Sequence, residues 1–378
     1  MIFDDEQMQF AETVRAFARG RLKPQYARWE NEAPDSQFIA EIASLGVTGL
    51  LIPEEYGGSG AGYVACGIAA EELARGDFNV SNLVQLPAIV GAALTRSASD
   101  DVKRRWLPQI ADGSVVPALG LTEPDAGSDA AAIKTRADKV DGGWLISGEK
   151  ASATFAGYAA AALVMARSGG DGPRGVTAFW VPLDTDGVTR QVYDGFGGKF
   201  TARGSLVFDG VFVPDDHVVG EPGSGFVQAM TAFDFNRAVI GLAAVGTALE
   251  TIEETVEYTK QRQTFGAPLS SRQAVTQQVA EHYSKLQAAR LVGYQTLMLA
   301  DMGRPHTSEA AMAKWMAPAW SVEAIHACLR LHGWAGYGND MSFGQRMRDV
   351  IGLEIGDGTP EIMKAIVARG LYGTATHR

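Results

Sequence analysis

The chain has 378 residues, enough for two or three domains with sizeable cores, which excludes a miniprotein stapled by disulfides. With 46% hydrophobic and 20% charged residues it has globular composition, without low-complexity or collagen-like character. Thirty-three Lys and Arg against 44 Asp and Glu give a net charge of −11, a field that repels nucleic acid and anionic lipid and leaves any anionic ligand dependent on a local basic site.

The N-terminal stretch MIFDDEQMQF is acidic and has no signal-peptide pattern, so a cytoplasmic protein is expected. Phe10, Val14 and Phe17 form one helical stripe, with Asp4, Asp5 and Glu6 in the first turn and Arg19 and Arg21 at the end, charges that complement a helix dipole. A second helix is predicted over 35–45. The following Ile52-Pro53-Glu54-Glu55-Tyr56-Gly57-Gly58-Ser59-Gly60 reads as a loop, and more helix over 65–75, 80–95 and 101–110 completes a helical domain spanning 1–115.

From about Val115 the texture changes. Short runs at 143–148, 161–167, 176–182, 188–193 and 204–213, separated by Gly, Asp and Pro clusters, predict a β-domain over 116–225. Helical periodicity returns over 226–261, 271–302 and 307–331, with lengths that suit a four-helix-type bundle spanning 226–378. Helices, then strands, then helices make an α+β fold and not the alternation of a Rossmann enzyme. The longest apolar runs, 156–166 and 238–249, fall short of the roughly 20 residues that cross a bilayer, and no membrane association is expected. Cys66 and Cys328 lie in apolar helical stretches without metal-ligand spacing and read as buried, reduced thiols.

Several motifs are excluded by spacing. No G-x-G-x-x-G follows a strand, Gly198-Lys199 is followed by Phe200 where a P-loop needs Ser or Thr, and neither G-x-S-x-G nor H-E-x-x-H occurs. Three segments remain. Leu121-Thr122-Glu123-Pro124-Asp125-Ala126-Gly127-Ser128-Asp129 is either a linker of Asx and Gly turns or a loop whose N–H groups and hydroxyls hold a polar ring or phosphate. Arg262-Gln263-Thr264-Phe265-Gly266 is either a dipole-favoured basic helix end with a glycine cap or a phosphate-binding arginine beside an aromatic ring. Gly356-Asp357-Gly358-Thr359-Pro360-Glu361-Ile362 precedes an apolar helix over 362–371, for which Thr359 is a good N-cap and Pro360 a good first residue. Its aspartate is either solvated or a base held on a tight loop.

Together and in this order these segments resemble the acyl-CoA dehydrogenase family of flavoproteins over essentially the whole chain. LTEPDAGSD is similar to that family's signature almost residue for residue, and RQTFGAPLSSRQ, Arg262 to Gln273, matches its R-x-x-F-G-x-x-[IL]-x-x-x-Q pattern. The resemblance implies bound FAD, an acyl-CoA substrate, a homotetramer sharing each FAD site between protomers, and an electron-transfer flavoprotein as acceptor. It implies that Leu121, Thr122, Gly127 and Ser128 line the isoalloxazine, with Ser128 also near the thioester, and that the Thr154 hydroxyl approaches flavin N5. Arg262, Phe265 and Gln273 would reach the FAD of a neighbouring protomer. Arg330, Gly333, Thr359 and Glu361 would complete the cofactor contacts. Phe233, Asp234, Asn236 and Arg237 match a substrate-side F-D-x-x-R segment, joined on that side by Gly358.

The implied chemistry is removal of the α-proton by a carboxylate and passage of hydride from the β-carbon to flavin N5, with the thioester oxygen held by a ribityl hydroxyl and the Thr359 N–H. The family's usual base is Glu in an E-G-T motif; the aligned residue here is Asp357, separated by seven residues from Asp349, the family's spacing from its R-D pair. Some members carry the base just before the arginine of F-D-x-x-R, where this chain has Asn236, which cannot take a proton. Aspartate is one methylene shorter, pulling the carboxylate back by roughly 1.5 Å, and an α-branched or alicyclic acyl group such as cyclohexanecarboxyl-CoA is the expected consequence. Ser152 stands where the family often has Trp and Phe155 where it often has Asn. Arg330 replaces a common Gln, as either a phosphate ligand or a surface arginine; Trp334, replacing a Gly, is read as packing, and His332 as a residue without a visible partner. Alternatives are a nitroalkane-oxidase-like enzyme, since that group uses aspartate as base, a dehydrogenase of carrier-bound thioesters, and an inactive binding module.

Overall fold

Asp4 starts the first helix: its carboxylate accepts the Gln7 N–H at 2.8 Å while the Gln7 side chain reaches back to the Asp4 N–H, a capping box at the head of α1 (Asp5–Phe17). The protein is described by a computed structural model over residues 3–373; residues 1–2 and 374–378, the ends of the two predicted helical domains and part of the MIFDDEQMQF stretch, lie outside the described residues. A π-helical turn, Ala18–Leu22, prolongs α1, and α2 (Tyr26–Trp29) is a single turn. Asp35 caps α3 (Ser36–Ala43) through the Phe38 N–H at 2.7 Å. Then come α4 (Tyr63–Gly76), α5 (Asn82–Ser97) and α6 (Asp100–Ala111).

Helix α4 is buried from Val64 to Gly76, charges included. Those charges are paired: Glu71 with Arg290 at 2.7 Å and the Tyr294 hydroxyl at 2.5 Å, and Glu72 with Arg15 at 2.6 Å. A buried carboxylate without such partners would be far too costly to desolvate. These pairs tie α4 to α1 and to the helix that carries Arg290 and Tyr294.

The middle of the chain forms an eight-stranded sheet from β1 (Pro117–Gly120), β2 (Arg136–Val140), β3 (Gly143–Ala153), β4 (Ala161–Arg167), β5 (Val176–Pro182), β6 (Val188–Val192), β7 (Gly204–Pro214) and β8 (Val218–Val219). Strand order is β6-β7-β3-β2-β4-β5-β8, with β1 parallel to β4. The β3–β7 register shifts between Lys150 and Ala153, a bulge beside the site described below. Strand β3 runs five residues beyond its predicted end, and β1, β2 and β8 were not predicted. β2 (RADKV) lacks an apolar alternation, and β8 has two residues.

The rest is helical: α7 (Gly225–Gln261), a small hairpin of β9 (Gln263–Thr264) and β10 (Ala267–Pro268), α8 (Gln273–Asp301), α9 (Thr307–His332), α10 (Trp334–Tyr337), α11 (Phe343–Ile351) and α12 (Pro360–Tyr372). α7, α8 and α9 pack on one another, and α7 and α8 also pack on α4. The fit is close: a Cβ on Gly246 of α7 would lie 2.1 Å from the Glu71 carbonyl oxygen of α4. Contrary to the run-length reading, α7 is long and apolar enough to cross a bilayer; its apolar stretch is mostly buried inside the fold, the composition of a core helix. Cys66 and Cys328 are free and buried, as expected, and burial pushes the Cys328 thiol up to about 11.

Two residue readings change. His332 is not partnerless: its ring stacks on Tyr258 at 4.0 Å and its Nδ1 meets the Cys328 carbonyl at 2.9 Å, which makes it a core residue. Trp334 does not pack into the interior; it is 82% exposed, because Gly333, with φ +64, turns the chain outward at the end of α9.

Candidate active site

A cavity of about 380 Å³ opens where α5, the β-domain, α7 and the segment before α12 meet. That volume lies in the range of small-molecule sites. Six of the residues given cofactor, substrate or catalytic roles from the sequence line it: Leu121, Thr122, Thr154, Phe233, Asn236 and Asp357.

Asp357 sits on the loop between α11 and α12. Gly356 N–H bonds back to Gly352 at 3.1 Å, Asp357 and Gly358 both have positive φ (+56 and +107), and Thr359 starts α12 by accepting the Ile362 N–H. Aspartate tolerates the left-handed region better than most residues, and glycine tolerates it freely. The loop is clasped from below. Lys314, fully buried on α9, donates to the carbonyls of Gly358 at 2.6 Å and Leu353 at 2.5 Å, and the Arg237 Nε meets the Asp357 carbonyl at 3.4 Å. Burial pushes the Lys314 ammonium down to about 8, against the pull of the nearby Asp357 carboxylate.

Asn236, one turn from Phe233 on α7, donates its Nδ2 to Asp357 Oδ2 at 3.0 Å, and its own Oδ1 is buried without a partner among the described residues. The amide therefore fixes the carboxylate in rotation without competing for a proton. The neighbouring Arg237 pairs with Asp234 at 2.9 Å, and Asp234 also accepts the Thr307 hydroxyl at 2.7 Å. Arg237 and Asp234 thus support the loop from outside the cavity wall.

The opposite side comes from the β-domain. The Thr122 carbonyl accepts the Ala151 N–H at 2.8 Å, which lays the start of the signature loop along β3. Beneath it Lys150, wholly buried, donates to Glu123 at 2.6 Å and to the Leu121 carbonyl at 3.0 Å, and Glu123 also accepts the N–H groups of Lys134 and Thr135. Burial pushes Lys150 down to about 8; it works against the Glu123 charge too, yet Lys150 and the N–H donors hold that carboxyl below its ordinary range. The bulge places Ser152 at φ +56, and buried Phe155 follows at φ +67, a conformation that Asn would adopt with less strain. Gly127 and Ser128 are exposed and off the cavity wall, because reciprocal Glu123–Ala126 backbone bonds of 3.1 Å turn the loop tip outward.

Arg262, Phe265, Gln273, Arg330 and Gly333 are not at the cavity. Arg262 lies 26 residues beyond Asn236 along α7, about 39 Å of helix, so it cannot serve the same cavity within one chain. Phe265 is 99% exposed with φ +48, and Arg330 is exposed on the last turn of α9. Glu361 lies exposed in the first turn of α12, its carboxyl held low by its own N–H and the Thr359 hydroxyl.

Sequence reasoning missed the wall formed by Asn79 and by Asn82, Gln85, Leu86 and Ile89 of α5, and also Arg203, whose Nη1 meets the Ser152 carbonyl at 3.1 Å. One signal was available: Asn82 and Gln85 are polar residues three apart in a helix that is otherwise apolar as far as Leu94. Among the described residues no cluster of His, Cys, Asp and Glu could hold a metal ion.

The residues present suit a flavin ring. The hydroxyls of Thr122 and Thr154 make no hydrogen bond among the described residues and line the cavity beside apolar Leu121 and Ala151, a combination that accommodates a flat heterocycle with polar edges. Comparison with known proteins agrees over the whole chain. Family profiles for the acyl-CoA dehydrogenase N-terminal, middle and C-terminal domains match residues 4–114, 118–211 and 223–372. The probable acyl-CoA dehydrogenase YngJ of Bacillus subtilis is 33% identical over 372 residues, covering 97% of this chain and 98% of that protein. A mitochondrial 2-methylacyl-CoA dehydrogenase of Solanum tuberosum is 32% identical, with 98% and 92% covered. The solved structure of butyryl-CoA dehydrogenase from Megasphaera elsdenii superimposes with a TM-score of 0.94 at 30% identity, covering 98% of each chain.

Proposed function

Since the chain belongs to the acyl-CoA dehydrogenase family of FAD-dependent oxidoreductases, which dehydrogenate acyl-CoA thioesters, we propose that Asp357 is the base that removes the substrate's α-proton. The observation that carries this reading is the Asn236 to Asp357 hydrogen bond of 3.0 Å on the cavity wall, in which the family's alternative base position serves the carboxylate as a donor. Bound FAD supplies the acceptor for the β-hydride.

The chain's own residues do the rest. Thr122, Thr154 and Leu121 hold and orient the flavin ring. The Thr359 N–H, which makes no hydrogen bond among the described residues, is free to donate to the thioester oxygen and stabilise the enolate that forms as Asp357 takes the proton. Lys314 and Arg237 fix the loop, so that the carboxylate meets the α-carbon without searching.

The short aspartate base leaves room at the α-carbon and favours an α-branched or alicyclic acyl group, such as cyclohexanecarboxyl-CoA. The likeness to a protein named for 2-methylacyl-CoA supports this reading. A homotetramer is part of it: Phe265, Trp334, Tyr337, Leu371 and Tyr372 are large apolar side chains exposed on the helical domain, and Arg262 needs a neighbour's cofactor to act upon. We assign the acceptor role to an electron-transfer flavoprotein, and a cytoplasmic setting.

Anaerobic titration with straight-chain, 2-methyl-branched and cyclohexanecarboxyl-CoA, followed by flavin bleaching, tests the proposal. Branched or cyclic thioesters should bleach fastest. Asp357→Asn, which keeps a residue tolerant of positive φ, should slow bleaching by about 10²- to 10⁴-fold. Preference for straight chains overturns the substrate reading, and wild-type rates in the variant overturn the base.

A further inference from the structure

The α5 wall does not suit a plain hydrocarbon. Asn82 and Gln85 are 7% and 4% exposed, and both line the cavity. Their orientations are determined by their neighbours. Asn82 Nδ2 donates at 2.9 Å to the Asn79 carbonyl, which can only accept. Gln85 Nε2 donates at 3.0 Å to the Ser81 hydroxyl, whose own proton is committed to the Phe78 carbonyl at 2.7 Å. Flipping either amide would set oxygen against an acceptor. Each amide oxygen therefore points away from its helix partner, and neither takes a hydrogen bond among the described residues. Each amide nitrogen also keeps its second N–H without an acceptor among the described residues.

An acyl chain of methylenes filling this cavity would strip water from two amides and give nothing back. The wall asks for a group that donates and accepts in the same place. A carboxylate only accepts, and just behind Asn79 lies the buried acid pair Asp77 and Asp349, with Asn79 Nδ2 on Asp349 at 2.9 Å and the Asn79 N–H on Asp77 at 2.9 Å. An ammonium only donates. A hydroxyl does both.

From this geometry we infer that the acyl group of the substrate carries a hydroxyl, bound by Asn82 and Gln85. The inference rests on the acyl-thioester reading above and narrows it to hydroxylated acyl-CoA thioesters, including ring-hydroxylated alicyclic ones. The hydroxyl takes no part in the chemistry; its two hydrogen bonds select and position.

The test compares cyclohexanecarboxyl-CoA, its ring-hydroxylated analogues and a ring-carboxylated analogue on the FAD-loaded enzyme, reading kcat/KM and the rate of flavin bleaching. At least one hydroxylated analogue should exceed the unsubstituted thioester by about tenfold or more, roughly one good hydrogen bond in a desolvated site. Gln85→Leu and Asn82→Leu should erase or invert that ratio. Equal or better turnover of the unsubstituted or carboxylated thioester overturns the inference and leaves the dehydrogenase reading standing. Bleaching by none of them removes both. The resting flavin spectrum and FAD content of the two variants provide the control: a changed spectrum or lost FAD would place the amides against the cofactor, and that too overturns the inference.

Discussion

Replacing Lys314 by Met removes the ammonium under the Asp357 loop and has a signature that depends on pH. In the folded protein burial pushes this lysine down to about 8 from its ordinary 10.5. Between those values the unfolded chain binds more protons than the folded one, so the lysine's contribution to stability rises with pH, by about 1.4 kcal/mol per unit. Below pH 8 the penalty for a buried charge is fully present. From pH 7 to pH 10 the wild type gains roughly two units' worth, ~3 kcal/mol, that Met cannot gain. The variant also leaves the Gly358 and Leu353 carbonyls without their donor, at about 1–3 kcal/mol each. Urea unfolding of the FAD-loaded protein at the two pH values measures the difference: Lys314→Met should fall behind the wild type by ~3 kcal/mol more at pH 10 than at pH 7. Flavin reduction by substrate should slow by about 10- to 100-fold as the loop shifts. A stability gap independent of pH refutes the buried-charge argument, and wild-type reduction refutes the positioning role.

Burial, and then the neighbouring Asp349, pushes Asp77 up to about 8. The folded state holds a proton that the unfolded chain releases near pH 4, so stability is lost as pH rises from there towards 8. Asp77→Asn should therefore lose less melting temperature than wild type between pH 6 and pH 9, its amide offering a donor to Gln345 Oε1, which has no partner among the described residues; a steeper loss would contradict this. Glu123→Gln strands the Lys150 charge in the core and should destabilise by about 3–5 kcal/mol, with release of FAD on dilution. The double change Glu123→Leu with Lys150→Met should recover most of that stability, and failure to recover it would show that the pair contributes more than mutual compensation.

Much of this molecule was legible in one dimension because its signals are local. Thr359 caps α12 where capping chemistry placed it, Asp4 and Asp35 stand at the starts of the helices predicted there, and β4 and β5 have the bounds that their apolar runs predicted. The loop residues Thr122 and Asp357 were legible through their motifs. What escaped depends on long-range contact. Lys150 looks like an exposed strand lysine until the sheet buries it against Glu123. Lys314 is one of a helix's many lysine-compatible positions until the α12 loop closes over it. The outward tip of the signature loop follows from the Glu123–Ala126 pairing, not from composition. Asn82 and Gln85 were visible as oddities in an apolar helix, but only the folded cavity gives them a face.

Helix α7 carries Asn236 near its start and leads into Arg262 at its end, with about 39 Å of stiff rod between them. In the proposed tetramer one end of the rod serves the chain's own site and the other end a neighbour's. Two inactive alleles should then complement one another: chains with Asp357→Asn and chains with Arg262→Ala, co-expressed, assemble mixed oligomers in which some sites draw the intact base from one allele and the intact arginine from the other.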